Sequence, residues 1–553
     1  ASVLLNASTS SRADAQKCGL ALNHIEAASR DQFREAPGAL HRSGGGSGAA
    51  VQLHSLALVH SQALVRLCTG ALRCMLRVPL MATLTAAASL STKQPRVLGV
   101  TGGIAMGKST ITKLLQTVYR IPFHDADQCV RRLYAKGGPA VAPVAAAFGD
   151  VLSEDGAIDR AKLGAKLTHL EGAARTEAFE RLDAIVHPLV REERARFVRD
   201  QTCWLVGVDI PLLFETGAEG VDHTVAVSCG RDEQRRRALK REGMTPAKLD
   251  AILGRQLADE DRVARADFVV ETDCYDKARA RGQAAGVIEE LWGASSLDEA
   301  APCRAVSFDL DNTLWPTWPP IAEAKNALPS LIRAHVPGAA AAFGAEDDDI
   351  LKGLAAFERD RPVLDVEKDV RHDITARRRV VYRQLAEAYG APVSHGDALA
   401  AAYEDARSEA TDAHLDGDAL ACVASLRAMG VETVGALTNG NAHACGRLGA
   451  VLDYWLTAGD VGAAKPRAPP FLAACAQSRC APSELVHVGD SLADDALGAL
   501  EFGARAIQVR KYDSGKERDE GEAVRRRLEA YGADRFARVD SVADVPKVIA
   551  RWR

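Results

Sequence analysis

From Arg96 onward, short apolar runs that end in Gly, Pro or Asp alternate with longer amphipathic segments. Runs of that length suit strands buried on both faces, and the segments between them suit covering helices. RVLGVTG at 96–102 predicts a buried strand entering a glycine turn, and Lys108 to Tyr119 predicts the helix that follows. IPFHDA at 121–126 and LVGVDIPLLFET at 205–216 predict two further strands. The same texture returns later: RAVSFDLDNT at 304–313, VGALTNG at 434–440 and LVHVGDSLADDALGA at 485–499 each start apolar and end in a polar cluster. Residues 316–430 instead carry helical periodicity. The pattern therefore predicts an α/β protein of two domains, each built on a parallel sheet, the second interrupted by a helical insertion.

Domain limits follow from the breaks in this pattern. GASSLDEAAPC at 293–303 is small and polar and reads as a linker, which suggests that the units at 96–292 and 304–553 move independently. Residues 1–95 are rich in Ala, Ser and Leu, poor in acids and broken by RSGGGSGAA at 42–50. That composition is expected of a disordered leader, of an organelle transit peptide, or of a stretch upstream of a start at Met75 or Met81. A transit peptide would imply a mitochondrial or plastid location; otherwise the expected location is cytoplasmic. Arg66, Arg73 and Arg77 interrupt the most hydrophobic stretch, short of the roughly 18 residues of a membrane span.

Composition refines the picture little. Apolar residues make up 47% and charged residues 26% of a 553-residue chain, enough for two cores, and a net charge of −5 gives no electrostatic reason to expect nucleic acid or an acidic membrane as partner. The twelve cysteines are scattered, without a CxxC pair or a His cluster at zinc-ligand spacing. This predicts free thiols in a reducing compartment, with neither a disulfide framework nor a structural zinc.

Two clusters carry candidate chemistry. Gly102-Gly103-Ile104-Ala105-Met106-Gly107-Lys108-Ser109-Thr110 lies between a predicted strand and helix, where backbone N–H groups face the phosphates of a nucleotide. Lys108 would reach the β/γ-phosphates and Ser109 a Mg²⁺ ion. Asp127 ends the next strand, placed to take a proton from an acceptor hydroxyl, though taken alone a carboxylate there reads better as a helix cap. In order along the chain, TGGI…GKS, DAD followed by Arg131, His187-Pro188, DIPLLFE, Gln234 with Arg237 and Arg241 on a helix, and Arg255-Gln256 resemble the dephospho-coenzyme A kinase family over about 96–290. The resemblance implies a phosphate-loop (P-loop NTPase-type) fold. It also implies transfer of the ATP γ-phosphate to the ribose 3′-hydroxyl of dephospho-coenzyme A, with Asp127 as base and Arg255 in a mobile lid. It assigns Arg131, His187 and Arg241 to the acceptor and lid sides, although His187 before a proline equally reads as structural. The family loop usually reads GGIGSGKS, so Ala105 and Met106 are departures, and a positive φ at Ala105 would cost roughly 1 kcal/mol or more.

The second cluster begins at Asp309 and Asp311, paired acids at a strand end of the kind that serves a Mg²⁺-assisted nucleophile and its acid/base helper. With Thr438-Asn439, Lys465, and Asp490 followed by Asp494 and Asp495, these residues resemble the haloacid dehalogenase superfamily over about 303–553. That superfamily has a Rossmann-like domain, and its inserted helical cap matches 316–430 in position. The resemblance implies Asp309 as nucleophile, Asp311 as acid/base, Thr438 and Asn439 near the phosphoryl group and Lys465 as charge balance. It also implies Mg²⁺ held by Asp309, Asp311, Asp490 and either Asp495 or Asp494. Expected small-molecule partners are ATP, dephospho-coenzyme A and a phosphometabolite.

Overall fold

The computed structural model describes residues 95–552, apart from Arg255 and residues 273–276, 294–300, 360–371, 442–445 and 513–520. The expected leader and most of the expected linker lie outside the described residues. Two parallel sheets dominate the chain. The first runs β2-β3-β1-β4-β5, from strands β1 (Arg96–Thr101), β2 (Phe123–Asp125), β3 (Leu205–Asp209), β4 (His223–Ser228) and β5 (Phe268–Glu271). The second runs β11-β10-β9-β6-β7-β8, from β6 (Ala305–Phe308), β7 (Thr433–Thr438), β8 (Tyr454–Thr457), β9 (Leu485–Gly489), β10 (Arg505–Val509) and β11 (Phe536–Val539). Strands β3, β6 and β9 are buried end to end and β1 beyond its first residue, as continuous apolar runs in a sheet covered on both faces must be.

The strands are shorter than the sequence pattern predicts. β3 ends at Asp209, where Ile210 and Pro211 turn away, so only the first five residues of LVGVDIPLLFET pair. β6 stops at Phe308 and β9 at Gly489, which puts Asp309 and Asp490 one residue beyond the carboxyl ends of their strands. Arg241 likewise falls beyond its helix, which closes at Leu239.

Ten helices shape the sites and the junction between the halves. In the first half, α1 (Lys108–Thr117) leaves the glycine turn, α2 (Ala126–Tyr134) follows β2, and α3 (Gly172–Arg199) is the longest. There too, α4 (Arg231–Leu239) follows β4, and α5 (Ala278–Trp292) ends the half. In the second half, α6 (Trp318–His335), α7 (Ile374–Ala388) and α8 (Val393–Ala413) enclose an apolar cluster of their own around Leu328, Tyr382 and Leu399. Helix α9 (Ala419–Ala428) packs instead under the second sheet with Val306 and Val434, so the helical insertion ends near Ala413 rather than at 430. Helix α10 (Ala468–Ser478) covers β7.

The two halves share one apolar cluster. It runs from Leu98, Val100 and Ile111 through Ile288 and Leu291 of α5 to Phe471, Leu472 and Phe502. The Trp292 and Phe502 rings stack with centroids 5.7 Å apart, and the buried Tyr119 hydroxyl donates to the Val461 carbonyl at 2.8 Å. Gln477 donates to the carbonyls of Thr117 and Val118, both at 2.8 Å, closing the end of α1. Gly462 has φ +86°, and a Cβ there would lie 2.1 Å from the Arg281 carbonyl oxygen, so only glycine lets this loop rest on α5. The independent motion expected from the linker is thus corrected: residues 93–553 form one compact unit, because apolar area and directional polar contacts cross the junction.

Candidate active sites

The first site forms where β1 and β3 diverge into their carboxyl-end turns. Gly107 caps α1, and the loop from Gly102 to Thr110 walls a cavity of about 630 Å³ that also meets Asp127, Arg237, Arg241 and Lys277. The loop is held by its surroundings. Gln256 accepts from the Ile104 N–H at 3.1 Å, Gln234 donates to the Ile104 carbonyl at 3.0 Å, and the Thr272 hydroxyl donates to the Met106 carbonyl at 2.6 Å. Arg237 in turn donates to Thr272 at 2.9 Å. Ala105 has φ +62°, the conformation in which its substitution for glycine carries strain.

Lys108 pairs with Asp209, a buried carboxylate whose pKa burial raises in spite of the ammonium beside it. Sequence reasoning missed Asp209; its signal was a carboxylate closing the apolar run LVGVD. The capping question resolves in favour of Asp125, which accepts from the Gln128 N–H at 3.0 Å and leaves the exposed Asp127 to line the cavity. Ser109 and Thr110 are exposed on the cavity wall. Arg131 and His187 are not among its lining residues: Arg131 is exposed on α2, and His187 lies mid-way along α3 with its Nε2 3.5 Å from Asp183. Arg255 lies outside the described residues.

The second site lies at the carboxyl ends of β6, β7 and β9. Lys465 Nζ reaches Asp309 at 2.7 Å, Asp495 at 2.5 Å and the Leu437 carbonyl at 2.8 Å, all buried. Asn439 fixes the lysine's backbone, accepting from Lys465 N–H at 2.7 Å and donating to its carbonyl at 3.0 Å. Burial, with Asp495 and Asp490 nearby, drives the Asp309 carboxyl well above the usual carboxylate range even against Lys465. Burial acts the same way on Asp495, but there Lys465 and His487 prevail and hold it below that range.

Carboxylate oxygens of Asp309, Asp490 and Asp495 lie within 4.8 Å of one another. Three buried or half-buried carboxylates converging on one point fit a hard divalent cation such as Mg²⁺, and two of them already push the third, Asp309, upward. Asp495 rather than Asp494 joins this group. The reason is local: Leu492–Leu497 form a wide π-type helical turn, and Gly489 has no Cβ, which would lie 2.2 Å from the Asp495 carboxyl carbon. Asp494 accepts instead from Asn439 at 3.3 Å.

Asp311 departs from the expectation that it joins the metal group. Its carboxylate accepts from Trp315 Nε1 at 3.0 Å and from Arg407 at 3.2 and 3.3 Å. Arg407 comes from α8 of the helical insertion, is buried, and also donates to Asn441. Thr438 is buried, its hydroxyl accepting from the Gly440 N–H at 2.9 Å. Sequence reasoning missed Arg407 and His487. His487 interrupts the apolar strand LVHVG and bridges Ser307 at 2.8 Å to Asp495 at 3.0 Å, so a polar residue inside a buried run was its signal. Arg407 had none, since its partner lies 96 residues away.

Known proteins resemble the two halves separately. Residues 96–276 match the family model for dephospho-CoA kinase, and residues 303–503 match that for haloacid dehalogenase-like hydrolases. A dephospho-CoA kinase of Ruegeria pomeroyi is 44% identical over 187 residues, which is 34% of this chain and 91% of that protein. One of Mesorhizobium japonicum is 46% identical over 202 residues, 36% of this chain and 97% of that protein. Among solved structures, a 2-haloacid dehalogenase from Pseudomonas syringae pv. Tomato DC3000 is 28% identical with a TM-score of 0.36, covering 45% of this chain and all of that one. The dephospho-CoA kinase of Campylobacter jejuni is 22% identical with a TM-score of 0.27, covering 36% of this chain and 98% of that one.

Proposed function

Because the chain belongs to the dephospho-CoA kinase family through residues 96–276 and carries a haloacid dehalogenase-like hydrolase domain at 303–503, we propose that it is a bifunctional enzyme. The first activity is transfer of the ATP γ-phosphoryl group to the 3′-hydroxyl of dephospho-CoA, the last step of CoA synthesis; the second is Mg²⁺-dependent dephosphorylation of a small phosphometabolite. The proposal extends to division near residues 293–303 and to a cytoplasmic setting.

In the kinase half, the backbone N–H groups of Gly102–Gly107 and the Lys108 ammonium receive the nucleotide phosphates, with Ser109 beside them as a hydroxyl ligand for their Mg²⁺. Asp209 holds Lys108 in place until the phosphates arrive. Asp127 takes the proton of the 3′-hydroxyl as its oxygen attacks the γ-phosphorus and the bond to the β-γ bridging oxygen breaks. Arg237 and Arg241, which line the same cavity, supply positive charge, and Arg255 is proposed to add to it from the lid.

In the hydrolase half, an Asp309 oxygen attacks phosphorus and the bond to the leaving oxygen breaks, giving an aspartyl-phosphate. Asp311 protonates that leaving oxygen and afterwards takes a proton from the water that releases phosphate. Thr438 and Asn439 line the phosphoryl position, and Lys465 offsets the charge of Asp309 and Asp495. Mg²⁺, held by Asp309, Asp490 and Asp495, would supply the charge neutralisation that lets an anionic phosphate approach the acids. Arg407 must release Asp311 before that carboxyl can serve, which ties turnover to movement of the helical insertion.

The observation that carries the hydrolase reading is Lys465 buried between Asp309 and Asp495, since a domain without turnover has no physical need for buried acids that repel one another. The full chain, supplied with Mg²⁺ and a panel of flavin mononucleotide, sugar phosphates, nucleotides and phosphopantetheine compounds, should release phosphate from one class. Asp309→Asn should abolish that release and leave dephospho-CoA-dependent ADP formation intact, while Lys108→Ala does the reverse. Phosphate release that survives Asp309→Asn, or release of halide alone from haloacids, overturns the phosphatase reading.

A further inference from the structure

Behind Asp125, three side chains from separate elements converge outside both active sites. His124 comes from β2, Cys129 from α2 and Glu193 from α3, and one ligand atom of each lies within 4.8 Å of the other two. The His124 side chain is only 2% exposed, and neither ring nitrogen has a hydrogen-bond partner. Its Nε2 stands 3.9 Å from Glu193 Oε1, and Phe197 packs against the ring at 5.7 Å between centroids. Cys129 is fully buried. A buried imidazole normally gives at least one nitrogen a partner, and this one has none while a thiol and a carboxylate stand within 4.8 Å of one of its nitrogens.

We propose that His124, Cys129 and Glu193 form a binding site for a borderline-soft divalent cation, Zn²⁺ in the first instance. The donor set argues for that class: imidazole nitrogen, sulfur and carboxylate oxygen are the ligands zinc takes, whereas Mg²⁺ takes oxygen. A thiolate and a carboxylate are also the anionic ligands a borderline-soft divalent cation takes. Burial keeps the imidazole neutral and its lone pair free, and it pushes the unmetallated thiol up to about 12 with Glu193 adding to the effect. Binding therefore forms a metal–sulfur bond and releases the thiol proton to solvent.

Metal–ligand lengths of about 2.0–2.3 Å put tetrahedral ligands about 3.5 Å apart, so atoms now within 4.8 Å of one another need close by no more than about 1.3 Å. Arg132 donates to Glu193 Oε1, the same oxygen that faces His124, so ligation requires the guanidinium to share that oxygen's lone pairs or the carboxylate to turn its other oxygen inward. His124 also borders a cavity of about 300 Å³ with Asp125, Gln128 and Asp209, from which a fourth ligand or water could come. The ion ties α3 to the segment that carries Asp125 and Asp127. Sequence spacing could not show the site, because Glu193 is supplied by a helix more than sixty residues away.

The test uses the full chain, stripped with a chelator and kept in excess Mg²⁺ so that the acidic cluster of the hydrolase half is filled. Zn²⁺ is titrated in competition with a chromophoric chelator. One equivalent should bind, and Cys129→Ser and His124→Gln should each weaken it by more than the about 10–100-fold that loss of an outer-shell partner costs. Asp490→Asn should keep it. Co²⁺ in place of Zn²⁺ should give thiolate-to-metal charge-transfer absorption that Cys129→Ser removes, a signature that a folding defect shared by His124→Gln and Cys129→Ser would not mimic when both retain the native circular dichroism. Equal Zn²⁺ affinity in the unsubstituted chain and Cys129→Ser, or Co²⁺ binding without the thiolate band, overturns the proposal.

Discussion

Single residues settle questions that motif matching leaves open. Ala105 sits at φ +62°, where a Cβ costs about 1–2 kcal/mol, yet its methyl is buried against Ala238 and Leu249 and is worth about 0.8 kcal/mol there. Strain outweighs the contact, so Ala105→Gly should stabilise the kinase half by about 0.5 kcal/mol, read as a small rise in its thermal midpoint; a fall would mean that the methyl contact outweighs the strain. Asp416 offers a pH test. Burial raises its pKa, but Lys511 at 2.6 Å, the Asp418 N–H at 2.9 Å and the Tyr512 hydroxyl at 2.9 Å prevail and leave it below the usual carboxylate range. The folded state therefore favours the ionised form, and this stability is complete above the unfolded carboxyl pKa of about 3.9 and fades as pH falls through the folded value. Asp416→Asn should cost about 2 kcal/mol at pH 7, and the gap to the unsubstituted chain should narrow below pH 4 in denaturant melts. A gap independent of pH would place the cost in packing rather than charge.

At the scale of elements, helix ends do much of the positioning. Asp125 caps α2 and so leaves Asp127 free, a division of labour the DAD triplet could not reveal because both acids lie within one turn of the helix start. Asp373 does two things at once: it caps α7, accepting from the Ala376 N–H at 2.7 Å, and it pairs with Arg281 of α5. A helix of the hydrolase insertion is thereby anchored on a helix of the kinase half. Thr375, on the first turn of α7, accepts from Asn441, which Arg407 holds together with Asp311, so the anchor leads toward Asp311. Asp373→Ala should lower stability by about 1–2 kcal/mol through the lost cap and also reduce phosphate release, while Asp373→Asn, which can still cap, should lose less of both. Equal effects of the two substitutions would show that the ion pair to Arg281, not the cap, holds the insertion.

Across the whole molecule, the shared apolar cluster decides how the halves must be studied. Separating residues 303–553 would expose Phe471, Leu472 and Phe502, which now pack against α5. That fragment should be less soluble and melt lower than the Asp309→Asn full chain, and Tyr119→Phe, which removes one buried hydrogen bond to Val461, should cost the intact protein about 1 kcal/mol. A fragment as stable as the intact chain would show that the junction contributes little.

What the sequence determined by itself is local: alternating apolar runs set two parallel sheets, and acids, glycines and Lys108 at the ends of those runs marked where chemistry gathers, since a strand end and its turn are encoded within a few residues. Only the tertiary structure decided which acid completes a group. Asp495 displaced Asp494 because a wide helical turn and a missing Cβ at Gly489 admit it, and Asp311 turned to Arg407 because the insertion folds back over the sheet. Asp209 beside Lys108, the junction through α5, and the meeting of His124, Cys129 and Glu193 likewise depend on residues far apart in the chain, brought together by packing that no local pattern records.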